Sequence, residues 1–242
     1  MEICCQNCLR RRILSKLAVY WPYSYNVFLI LFLFLVLFIG LVFTGAVGFA
    51  LRQIGFSPQT TATIMIATFL GSYVNIPLLK IKTVTPIIRE EYIRFFGMVF
   101  RVPQFRYREA TTLIAINMGG ALIPTFISVY LLYKLPSVMI HALTGISIVA
   151  FVSHAIAKPV KGLGIAVPAF VPPLIAALTA YIICPGSPTV VAYVSGVLGI
   201  LIGADIANLH RVSELGARIV SIGGAGSFDG IFLSGILAVL LI

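Results

Sequence analysis

The sequence predicts an all-α membrane protein of about seven transmembrane helices. Three observations carry this: its apolarity, its long apolar runs and the placement of its basic residues. Of 242 residues, 60% are hydrophobic and only 10% charged, against roughly 25% charged in an ordinary soluble domain. Water is therefore no solvent for most of the surface. Inside hydrocarbon only helices and closed barrels satisfy their own backbone, and these runs are too continuously apolar for barrel strands, which alternate.

The candidate spans are 27–50, 59–79, 111–133, 138–157, 162–184, 189–209 and 219–242, each near or above the roughly 18 to 20 residues that cross a bilayer core. The first exceeds the roughly 7 to 15 apolar residues of a secretory signal and no small-residue cleavage site follows it, so it reads as a retained span. The net charge of +10 invites a nucleic-acid reading, but position argues otherwise. Fifteen of the 17 Lys and Arg fall before span one, between spans two and three, after span four and between spans six and seven. Arg52 and Lys134 alone fall on the other side. The positive-inside bias then predicts a multi-pass protein of the plasma membrane with a cytosolic N-terminus and an outer C-terminus. Its partners are membrane lipids and either a transmembrane peptide or a small ion, with no role for nucleic acid.

The chain reads as a single integral membrane domain, 1–242, with a cytosolic tail over 1–26 and no long polar linker. Between spans two and three, residues 86–101 place Ile88, Tyr92, Phe95, Phe96 and Val99 on one helical face and Glu90, Glu91, Arg94 and Arg101 on the other. That spacing predicts an interfacial amphipathic helix, serving either as a docking element or as a connector. Cys4, Cys5 and Cys8 cluster on the tail, where zinc would need a fourth ligand. Cys184 lies across the bilayer, so acylation beside Arg10, Arg11 and Arg12 and plain reduced thiols are the other readings. No metal site and no cofactor is expected, since no phosphate-cradling glycine loop with its lysine is present.

Ionisable groups at a span centre cost about 2.5 to 3.5 kcal/mol on insertion scales, so each needs a reason. The only two aspartates, Asp205 and Asp229, both lie in predicted spans. Counted from Arg211 and Arg218, they sit roughly 9 Å and at most roughly 17 Å into the cytosolic half. The same half receives Asn75, Asn117, His154 and Asn208. Gly223, Gly224 and Gly226 precede Asp229 and weaken the helix there, and unwound backbone at membrane depth implies a lined cavity. Ser227 adds a hydroxyl. Asp205 and Asp229 are thus the candidate catalytic pair, with Asn75, Asn117, His154, Asn208, Gly224, Gly226 and Ser227 as candidate substrate- or ion-binding residues.

Three readings of the pair stay open. Two close carboxylates share a proton and divide general-base and general-acid roles on one water, as in aspartic proteases. Carboxylates beside a broken helix also suit a proton- or cation-coupled transporter. A purely structural alternative keeps them protonated as links between helices. His154 and Lys158 share a helical face, Lys158 snorkelling to the interface, and Pro168, Pro172 and Pro173 predict a kink in span five.

Gly203-Ala204-Asp205, with the segment from Ser221 through Gly223-Gly224-Ala225-Gly226-Ser227-Phe228-Asp229-Gly230 to Phe232, resembles an archaeal and bacterial membrane family known only as domain of unknown function 1614. That resemblance implies a polytopic membrane fold and no activity. A weaker similarity is to the presenilin, signal-peptide-peptidase and prepilin-peptidase group, whose second catalytic aspartate lies in a Gly-x-Gly-Asp motif. It implies an intramembrane aspartyl protease with Asp205 as first and Asp229 as second aspartate. The sequence departs from that motif, because Ser227 and Phe228 stand between Gly226 and Asp229, and no Pro-Ala-Leu span follows.

Overall fold

The computed structural model describes residues 25–95, 98–160, 164–214, 217–224 and 230–242. The cysteine cluster of the tail, Asp229, Gly226 and Ser227 lie outside them. Backbone contacts divide the chain into two compact units, Met1–Gly45 and Ala46–Ile242. Helix predominates: α1 Tyr25–Gln53, α2 Pro58–Gly71, α3 Ile123–Lys134, α4 Met139–Ile156, α5 Val171–Ile183, α6 Pro188–Ile200 and α7 Gly230–Leu240. Among the described residues five strands accompany them: β1 Asn75–Phe95, β2 Met98–Asn117, β3 Lys158–Val160, β4 Gly164–Ala166 and β5 Ile219–Ile222.

Three helical stretches among the described residues are long and apolar enough to cross a membrane: Val27–Gln53, Pro136–Ile156 and Pro188–Ile206. At 1.5 Å per residue they reach about 40, 31 and 28 Å, against a hydrocarbon core of about 30 Å. The first presents Val27 to Ile39 to the surroundings with no side chain buried. A helix apolar all round and covered by nothing is stable against lipid and not against water.

Prolines mark where four of the other helices begin. Pro58, Pro124, Pro172 and Pro188 occupy the first turns of α2, α3, α5 and α6, where a missing N–H costs nothing because no carbonyl waits for it. At α2 the signal is doubled, since the Ser57 hydroxyl accepts from the Thr60 N–H at 3.2 Å. The expected kink in span five is therefore a helix start: Pro172 and Pro173 open α5 and Pro168 precedes it.

The core is α6. Val190 through Val197 are all buried, and the helix packs against α3, α4, α5 and α7. Contact with α4 is backbone-close at Gly203, where a Cβ would run into the Ala150 carbonyl.

Two expectations are corrected. Residues 86–95 and 98–101 are strand and not amphipathic helix; β1 and β2 pair antiparallel from Asn75 opposite Asn117 to Phe95 opposite Met98. The stretch that follows alternates apolar and basic residues, as in Phe105-Arg106-Tyr107-Arg108, and 75–117 as a whole is rich in Ile, Val and Thr, which fit a pleated surface. Pro77 falls at a register shift, the place where a ladder tolerates proline. Second, β strands occupy parts of four expected spans. Span two ends as helix at Gly71, span three begins as β2, and spans five and seven begin as β4 and β5. Lys158 begins β3 after α4 ends at Ile156, so it shares no helical face with His154.

Candidate functional site

The central sheet has strand order β1-β2-β5, with β5 parallel to β2 and at its edge. Its ends carry the polar residues. Asn75 and Asn117 are the last register pair of β1 and β2, and Asn117 is 2% exposed. The Asn117 amide donates to the Ser72 carbonyl at 2.7 Å and to Asn75 Oδ1 at 3.1 Å. Its Oδ1 accepts from the Gly120 N–H at 2.8 Å. Gly120 belongs to a π-helical turn, Met118–Leu122, that joins β2 to α3, so Asn117 caps the point where strand becomes helix. The Ser221 hydroxyl of β5 donates to the same Asn75 Oδ1 at 2.6 Å. One asparagine oxygen thus ties all three strands together.

β5 ends at a turn only glycine adopts easily. Gly223 has φ +75°, and a Cβ there would come within 2.5 Å of the Ala121 methyl. At Gly224 a Cβ would overlap the Ser221 hydroxyl and approach Asn75 Oδ1 to 3.1 Å. Bare backbone is required where the chain passes the Asn75–Ser221 pair. Residues 219–224 are non-helical throughout.

Asp205 comes from the opposite wall. It sits in a second π-helical stretch, Leu201–Ile206, that continues α6. Such stretches widen the helix and leave carbonyls to satisfy, and they recur at functional sites. Asn208 does that work: its amide donates to the Gly203 and Ala204 carbonyls at 3.1 and 3.0 Å.

Two cavities meet at Asp205. One, of about 260 Å³, is polar, lined by Asn75, Asp205, Ser221, Gly223 and Gly224 together with the strand backbone of β5. The other, of about 350 Å³, is apolar, lined by Val160, Pro172, Ile200, Ile231, Leu233 and the Asp205 turn among others. Gly164 and Ile165 of β4 border both. Gly230, the residue after Asp229 in sequence, lines the apolar one. Asp205 is partly buried and is the one ionisable residue among those described around either cavity.

Of the candidate residues, then, Asp205, Asn75 and Gly224 share a cavity and Asn117 joins them through Asn75. Asn208 is buried but turns back on its own segment, away from both cavities. His154 stands apart from them: its side chain is exposed in the last turn of α4 and lines neither cavity. Ser221 completes the polar group. Nothing local marks it, because its contact with Asn75 spans 146 residues. Among the described residues no cluster of three or more His, Cys, Asp or Glu is placed to hold a metal ion.

No curated protein and no solved structure matches this chain. One protein family does: its description is "Protein of unknown function (DUF1614)", and it matches residues 69–241. The matched stretch runs from the end of α2 through both cavities to the end of α7, and on that extent the chain belongs to the DUF1614 family.

Proposed function

We propose that the protein is an intramembrane aspartyl protease in which Asp205 and Asp229 activate water for peptide-bond hydrolysis. One observation carries the reading: a single carboxylate-bearing turn borders both a polar cavity and an apolar one. The polar side offers Asn75, Ser221 and the β5 backbone, and at about 260 Å³ it has room for several waters at roughly 30 Å³ each. Open strand backbone at membrane depth requires such hydration. The apolar side suits a transmembrane peptide.

In this chemistry one carboxylate takes a proton from water as the oxygen attacks the carbonyl carbon. The partner carboxylic acid gives its proton to the carbonyl oxygen, forming a tetrahedral diol. Collapse breaks the C–N bond, the amide nitrogen takes a proton and the diol returns one. One water is consumed; a carboxylic acid and an amine leave. The chain itself is multi-pass in the plasma membrane with a cytosolic N-terminus. The basic β1–β2 hairpin lies on the cytosolic side.

A proton- or cation-coupled transporter is the second reading, favoured by the irregular backbone at both walls, the π-helical turn of Asp205 and the non-helical stretch 219–224. The discriminating experiment uses purified protein in vesicles. Asp205→Asn and Asp229→Asn should each abolish cleavage of a helical peptide while the fold persists. No proteolysis by the parent protein, with a proton- or sodium-dependent flux lost in both variants, would overturn the protease in favour of the transporter.

A further inference from the structure

We propose that the apolar cavity beside Asp205 is a specificity subsite that receives one large apolar side chain, aromatic or branched aliphatic, from the substrate residue next to the scissile bond. The inference rests on the protease reading and names its substrate class. The cavity measures about 350 Å³, and a dry apolar cavity of about 150 Å³ already holds a benzene ring. A phenyl or isobutyl group fits without rearrangement.

The lining makes the choice of occupant. Apart from Asp205 every side chain around it is aliphatic, proline or absent, Val160, Val167, Pro172, Ile200, Ile231 and Leu233 among them. An amide or charged side chain placed there finds no polar side chain but the Asp205 carboxylate, and an unpaired buried polar group is penalised. A methyl group leaves most of the space unfilled. The walls are stiff, since Pro168 and Pro172 bracket the start of α5 and Ile231 and Ala204 are core residues at 0% and 2% exposure. A largely preformed pocket discriminates by fit.

Position ties this space to the reacting bond. The wall shared by the two cavities consists of Gly164, Ile165 and Asp205. A peptide whose carbonyl meets Asp205 and water on the polar side can turn only one adjacent side chain into the apolar side. One methylene in such a pocket changes kcat/KM by roughly 10- to 200-fold, so Phe or Leu should exceed Ala at that position by on the order of 100-fold.

The test uses full-length protein in phosphatidylcholine vesicles and transmembrane model peptides that differ only at the residue before the cleaved bond: Ala, Leu, Phe, Asn or Lys. Ala166 and Ala169 line the cavity with exposed side chains, so Ala166→Phe and Ala169→Phe put bulk into it without entering the core. The parent should prefer Phe and Leu, and the Phe-to-Ala ratio should fall at least about ten-fold in both variants. A ratio is read, so lower total activity does not blur it. Cleavage without preference, or a preference both variants keep, overturns the subsite and leaves the protease standing. If no peptide is cleaved, hydrolysis falls, and the same peptide carrying a benzophenone side chain decides the rest. Crosslinks to Val167 or Leu233 that vanish in both variants keep the cavity as a side-chain site. Crosslinks that persist, or a photoreactive acyl chain of the lipid that labels the cavity and resists displacement by peptide, overturn it.

Discussion

Replacing Asn117 by alanine should cost about 3 kcal/mol, because three bonds converge on one buried amide. The substitution orphans the Gly120 N–H and the Ser72 carbonyl and leaves Asn75 Oδ1 with one of its two donors, the Ser221 hydroxyl. Side-chain hydrogen bonds between membrane helices average only about 0.6 kcal/mol, reaching about 1.7. The Gly120 N–H is different in kind: it is backbone, buried, and held in a π-helical turn, so its orphaning costs about 1 to 3 kcal/mol. Adding two modest bonds to one costly orphan gives the estimate. For a domain of this size, about 2 to 4 °C of melting temperature accompanies each kcal/mol, hence a fall of roughly 6 to 12 °C. Asn75→Ala supplies the comparison. It removes the acceptor of Ser221 and one Asn117 bond but leaves Gly120 and Ser72 satisfied, so its loss should be about 1 kcal/mol. Thermal unfolding in a single detergent, followed by circular dichroism, measures both. Equal shifts for the two variants, or a shift under about 3 °C for Asn117→Ala, would refute the assignment of the cost to the capped turn.

Other outcomes follow from the same geometry. Spin labels at Tyr92 and Arg101, register partners in β1 and β2, should lie about 5 Å apart at the backbone; one continuous helix would hold them about 13 Å apart, so a broad separation above about 12 Å in electron spin resonance rules out the hairpin. Gly203→Ala gains about 1 kcal/mol of helix propensity but drives a methyl into the Ala150 backbone, so it should destabilise by about 1 to 3 kcal/mol; a more stable variant in denaturant titration would show that α4 and α6 are not backbone-close there. Gly224→Ala should break the Ser221–Asn75 bond and lower peptide cleavage more than melting temperature; activity that merely tracks melting across a glycine series would leave that segment as packing alone.

The sequence by itself determined the solvent and much of the site's chemistry. An apolar run such as 27–39 excludes water as its surroundings whatever the fold, because no face of it is polar. The prolines fixed helix starts, since their missing N–H acts locally. Asp205 announced itself because an ionisable group in an apolar run has a cost that only a partner or water offsets; Asn75 and Asn117 stood out as amides in apolar runs, and Gly224 as one of a cluster of helix-weakening glycines. What the tertiary structure decided is pairing. Whether 75–117 is helix or hairpin depends on backbone hydrogen bonds between residues up to 42 apart, which no local window contains, and apolar residues such as Ile88 and Tyr92 fit both periods. Asn208 and His154 look alike in a hydropathy trace, yet packing turned one inward onto its own carbonyls and left the other on the surface. Ser221 was an ordinary hydroxyl until β5 was laid parallel to β2 and brought it to Asn75. The two cavities at Asp205 are the last such product: each is space left between elements distant in sequence, and space is a property of packing alone.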